Sequence, residues 1–125
     1  MYVAPETING AHNYKSDIWS CGVICYILLT GSVPFWDDDE DRLFELIKTG
    51  KFEMNDPCWI RVPVIAQEFV KRLLTLDKNE RPTAQKCLND SWLSKEISVS
   101  QRRIKQEAGL AFENIIKFNS YTKMK

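Results

Sequence analysis

Residues 18–29, IWSCGVICYILL, are apolar almost all round. A helix with no polar face belongs in the middle of a folded domain, with neighbours on every side. At 12 residues the run falls well short of the roughly 20 that a membrane span needs, so no span is expected. Ser16 or Asp17 stands where a cap opens such a helix, and Gly31 stands where one ends it. This predicts a central buried helix at about 17–30, with Cys21 and Cys25 in the core.

The pattern downstream is amphipathic and helical. Leu43, Phe44, Leu46 and Ile47 share a helical face, and Gly50 closes that segment. A loop with Pro57 and Trp59 follows. Ile65, Phe69, Val70, Leu73 and Leu74 then repeat at helical spacing within 64–76, until LDKNERP at 76–82 breaks the helix. Thr83 caps a short helix through Leu88, and Trp92 with Leu93 makes a last apolar contact point. No run alternates with period two, no repeat recurs and no segment is of low complexity, so the fold is predicted to be all-α. Beyond it, 101–118 reads as a basic amphipathic helix with Ile104, Ala108, Ala111, Phe112, Ile115, Ile116 and Phe118 as its apolar positions. Gly109 weakens it by about 1 kcal/mol relative to alanine.

Charge adds an asymmetry. The 17 basic and 17 acidic residues cancel, which argues against a general nucleic-acid or membrane binder. Yet residues 37–41 are DDDED, while Arg102, Arg103, Lys105, Lys117, Lys123 and Lys125 face only Glu107 and Glu113 in the last 25 residues. The acids are read first as caps for the following helix, with attraction of basic substrates or of the tail as the other reading. The four cysteines form no CxxC pair and the one histidine, His12, has no second histidine, so no zinc site is expected. No secretory signal is evident, and reduced thiols imply an intracellular, cytoplasmic setting.

Three spaced elements belong together: APE at 4–6, DIWSCG at 17–22 and LDKNERP at 76–82. With LLTGSVPFW at 28–36, Trp59, AQEFVKRLL at 66–74 and Trp92, the set resembles the C-terminal lobe of eukaryotic protein kinases over residues 2 to about 93. The resemblance implies a helical lobe with a buried ion pair between Glu6 and Arg81; an exposed helix-start acid is the plainer reading of Glu6. It implies that Asp17 accepts hydrogen bonds from the kinase catalytic loop, against an ordinary helix cap. It also implies that Trp19 wedges against the preceding segment, that Gly22 allows close packing, and that Tyr2 and Val3 are what remains of the segment that docks substrate.

Within the kinases, YILLTGSVPFWDDDEDRLFELIKTGKF at 26–52 is similar to the calcium/calmodulin-regulated group. ENIIKFNSYTKMK at 113–125 resembles the autoinhibitory junction of calcium-dependent protein kinases. The implied regulatory helix has Phe112, Ile115, Ile116 and Phe118 as anchors and Lys117 among its charges, and docks on the lobe at rest. An EF-hand module in cis, or calmodulin, would compete for that face. A solvated helix with no regulatory role is the plainer reading. Three sites depart from the pattern: Pro63 replaces a frequent Ser cap, Asp90-Ser91 replaces His-Pro before Trp92, and Ile27 stands where some relatives place a substrate-binding Glu.

The sequence holds no G-x-G-x-x-G, H-R-D or D-F-G, the elements that bind ATP and magnesium and carry the chemistry. The expectation is a partial kinase domain at 1–93 and an extension at 94–125. The parent would transfer phosphate from ATP to Ser or Thr of protein substrates, with magnesium. This chain would lack catalysis and metal ligands, complement the missing N-lobe, and provide scaffold and peptide-docking surface. A non-catalytic binding or decoy module and a pseudokinase fragment are the alternatives, separated by the sequence upstream.

Overall fold

Asn13 starts the central helix. In the computed structural model, which describes residues 2–55, 57–96 and 101–123, this helix (α2) spans Tyr14–Thr30, an earlier start than the expected 17. Asn13 is extended and its side chain accepts from the Lys15 amide at 2.8 Å, while the Ser16 hydroxyl accepts from the Asn13 amide at 3.2 Å. Two of the amides that every helix start leaves without partners are thereby satisfied. Asp17 is therefore a first-turn residue rather than the cap. At the other end Gly31 takes φ 74°, and its amide reaches the Ile27 carbonyl at 2.7 Å. That left-handed conformation is the reason for glycine there.

Around α2 stand α1 (Pro5–Ile8), α3 (Glu40–Thr49), a 3₁₀ turn (Pro57–Arg61), α4 (Val64–Leu73), α5 (Ala84–Leu88), α6 (Ser91–Glu96) and α7 (Gln101–Lys123). Among the described residues there is no strand, and the fold is all-α. The acidic run acts as cap and first turn: Asp39 accepts from the Arg42 amide, with Glu40 and Asp41 beside it at the positive end of α3. Pro63 precedes α4 without a side-chain cap, and the Gln67 amide nitrogen instead donates back to the Trp59 and Val62 carbonyls. Thr83 caps α5 through the Lys86 amide. Asp90 opens α6, its carboxylate accepting from the Trp92 amide and from the Arg72 guanidinium.

The core is built on α2. Trp19, Val23, Tyr26 and Ile27 pack with Phe35, Ile47, Trp59, Ala66, Val70 and Leu74. Trp19 stacks on Phe35 at 5.7 Å, and Tyr26 meets Trp59 edge-on at 5.0 Å, arrangements that aromatic quadrupoles favour. Gly22 lets α4 come close: a Cβ there would lie 2.8 Å from Leu73 Cβ and 2.9 Å from Leu74 Cδ2. Filling that space forces side chains off their preferred rotamers, at about 1–3 kcal/mol.

Burial of α2 is not complete. Asp17, Cys21 and Ile24, spaced four and three apart, form an exposed stripe, with Ile24 at 47 % exposure. The expectation that Cys21 is a core residue is corrected, whereas Cys25 is half-buried. An apolar sequence states how much surface favours burial; the neighbours present decide which face is covered. Here α4 and α7 pack on α2 and leave that stripe open.

Candidate functional site

Helix α1 and the loop after α4 meet at one buried cation. Pro5 occupies the first position of α1 and is buried, and Glu6 follows it. The Arg81 guanidinium grips its carboxylate at both oxygens, with Nη1 to Oε1 at 2.7 Å and Nη2 to Oε2 at 3.3 Å. Arg81 also donates to the carbonyls of Thr75 (3.0 Å), Lys15 (2.7 Å) and Leu76 (3.3 Å). All five N–H groups of the fork are thus used, as an Arg buried to 1 % exposure requires. The Trp19 ring lies under the guanidinium carbon at 5.1 Å, an added cation–π contact.

Glu6 is held from the other side. The Ser16 hydroxyl donates to its Oε1 at 2.9 Å, and the Lys15 ammonium donates to the Arg81 carbonyl. Burial pushes the Glu6 carboxyl up, but the hydrogen bonds from Arg81, from backbone and from Ser16 outweigh it, so it sits below the usual carboxylate range. Chemically the cluster is an anchor. It holds 4–6, the start of α2 and the 75–81 loop in one geometry.

The other sequence-derived positions lie apart from it. Asp17 is open to solvent, with its side chain 75 % exposed and 3.7 Å from the His12 ring. Tyr2 is exposed, and its carbonyl accepts from the Ser20 hydroxyl at 2.7 Å, so Tyr2 and Val3 run beside the first half of α2. Trp19 is fully buried between Arg81 and Phe35, and Gly22 faces α4.

The tail helix α7 packs along α2, on a different face from the one expected. Glu107, Leu110, Ala111, Asn114 and Phe118, at helical spacing, are turned to the lobe; Phe118 joins the core cluster and Asn114 is buried to 8 % exposure. Phe112, Ile115 and Ile116 are 66 %, 43 % and 53 % exposed. The expectation that these three join Phe118 in one anchor face on the lobe is therefore corrected. The residues rotate about 100° per step, so Phe118 falls on the stripe of Asn114, not on that of Ile116. Lys117 is exposed beside Gly31. Of the other basic tail residues, Lys125 and the side chains of Arg102, Arg103, Lys105 and Lys123 lie outside the described residues.

Sequence reading missed Asn13, Lys15 and Asn114. Asn13 carried a usable signal, an N-cap residue three before a Ser; Lys15 and Asn114 act only across the fold and left none. Among the described residues no three His, Cys, Asp or Glu side chains converge on a cation position, and the phosphate-binding motifs are not in this sequence. No described helix is long and apolar enough to cross a membrane.

Comparison with known proteins identifies the scaffold. The chain is 35 % identical over 125 residues to the calcium/calmodulin-dependent protein kinase type II subunit delta of Oryctolagus cuniculus, matching 99 % of this chain and 23 % of that protein. The chain thus spans about a quarter of the length of that relative, and the kinship is with the calmodulin-dependent kinase group. The family description "Protein kinase domain" matches residues 1–93, so the chain belongs to the protein kinase family.

Proposed function

We propose that residues 1–93 form the C-lobe portion of a calcium-regulated serine/threonine protein kinase and that 94–125 is its regulatory extension. The observation that carries this reading is the Glu6–Arg81 anchor, because it ties APE at 4–6 to the loop at 76–82 in one buried cluster. In this reading the anchor holds the end of the activation segment against the lobe. Asp17, exposed on α2, then receives the catalytic loop of the parent, and Tyr2 and Val3 border the docking groove for protein substrates. ATP and magnesium belong to the parent and not to residues of this chain. α7 is the autoinhibitory element, released by calmodulin or by an EF-hand module in cis, in an intracellular, cytoplasmic setting.

The test is a phosphotransfer assay on the purified parent protein, with a serine- or threonine-containing peptide, ATP and magnesium. Calcium with calmodulin, or calcium alone where EF-hands are present, should raise the rate. Removal of residues 101–125 should make it calcium-independent. An inactive parent that still binds a partner protein would point to a non-catalytic module instead.

A further inference from the structure

The C-terminal end of α2 is one place where α7 is held, and a buried polar residue takes part in the contact. The last four carbonyls of any helix lack partners within it. In α2 the Ile27 carbonyl is taken by the Gly31 amide, and the Leu28 carbonyl by the side-chain amide nitrogen of Asn114 on α7. Among the described residues Asn114 is one of four buried polar or charged residues, and burying its amide is unfavourable unless it is bonded. Gly31 clears the floor for this contact: a Cβ there would lie 3.1 Å from Asn114 Oδ1 and 2.8 Å from Lys117 Cδ. Lys117 lays its stem across that glycine, which brings a cation to the negative end of α2.

We infer that Asn114 is the positioning residue of α7, setting its register on the lobe by capping α2 across the interface. The apolar neighbours Leu110, Ala111 and Phe118 supply attraction without direction, so they tolerate a shift along the groove. The amide does not, because one residue of helix moves it by about 1.5 Å and 100° away from the Leu28 carbonyl. The cap exists only in the docked state. Its loss therefore favours release of α7 without touching the Glu6–Arg81 anchor. The regulatory meaning of this latch rests on α7 being the autoinhibitory element; the latch itself does not.

Hydrogen exchange on the full chain tests it. Asn114→Leu keeps the size, removes the donor and leaves the half-buried Leu28 carbonyl unpaired. Amides of 110–118 should exchange roughly ten- to hundredfold faster, the scale of one buried hydrogen bond, while α2 and α4 stay protected. A packing role alone predicts no loss, since leucine fills the same space, and that result would overturn the proposal. Asn114→Asp adds a pH signature. The charged carboxyl repels the Leu28 carbonyl, whereas the protonated one can donate to it, so docking should return as pH falls from about 8 to 5.

Arg61 and Cys58 from the 3₁₀ turn, with Glu113 and Lys117 from α7, face the same hollow. The Asp series is therefore repeated with Lys117→Met and Arg61→Met, to remove the cations that would pair with the new carboxyl. Exchange in that series that keeps a constant ratio to wild type across the range also sinks the latch. If Asn114→Leu unfolds the whole lobe, the Asp profile decides alone. Released α7 with an unaltered calcium response in the parent would reject the regulatory reading and leave the latch standing.

Discussion

The Arg81 guanidinium and the Glu6 carboxylate lie 2.7 Å apart, 75 residues apart in the chain, with no side-chain exposure for Arg81 and 10 % for Glu6. Removing one partner of such a pair strands the other charge, at about 3–5 kcal/mol. Arg81→Ala should therefore lower the urea midpoint far more than Arg61→Ala, since Arg61 is exposed. Equal shifts would mean that the anchor does not stabilise the lobe. A double cycle of Glu6→Gln and Arg81→Ala gives the coupling directly.

The same pair has a pH dependence with a definite sign. Burial raises the Glu6 carboxyl, but the Arg81, backbone and Ser16 hydrogen bonds bring it below its ordinary 4.5. A depressed folded value means that the stability from Glu6 is fully present above 4.5 and is lost as pH falls through the lower, folded value. Acid titration of wild type and Glu6→Gln should diverge at neutral pH and converge in acid. Parallel curves over the whole range would show that Glu6 carries no such linkage.

Two cysteines four residues apart should differ in reactivity. Cys21 is exposed. Burial, with smaller contributions from Cys21 and Cys87, pushes the Cys25 thiol up to about 11. The thiolate is the reacting form, so a thiol reagent near pH 8 should label Cys21 well before Cys25. Mass spectrometry of partly labelled protein reads the order, and faster labelling at Cys25 would place the open stripe of α2 elsewhere.

The outward face of α7 should be the one that a calcium sensor takes. Phe112 and Ile116 are exposed, so Phe112→Asp and Ile116→Asp should leave lobe stability within about 0.5 kcal/mol. Calcium-loaded calmodulin, or the EF-hands of the parent, should bind wild type and fail to bind either variant, because such grooves recognise apolar helix faces. Lys117→Ala should slow association, an effect that fades with added salt. A wild-type chain that ignores both sensors would reduce α7 to a structural appendage.

Local chemistry made much of this molecule legible. The helical periods of 43–47 and 64–74, the stop at Gly31, the Thr83 cap and the acids before α3 are settled within a few residues, so the chain alone displays them. The pairing of Glu6 with Arg81 was legible only because a known family pattern links distant motifs; nothing in spacing or charge points from one to the other. Other features were decided by the fold. The start of α2 moved to Tyr14 because Asn13 and Ser16 form a reciprocal cap. Cys21 became exposed because α4 and α7 cover other faces of α2. Most telling is α7, where Phe112, Ile115, Ile116 and Phe118 were expected as one docking face and only Phe118 packs on the core. The structure turned Asn114 inward instead. A carbonyl left open at the end of one helix is a demand that only a neighbour in space can meet, and a sequence read along its length does not display it.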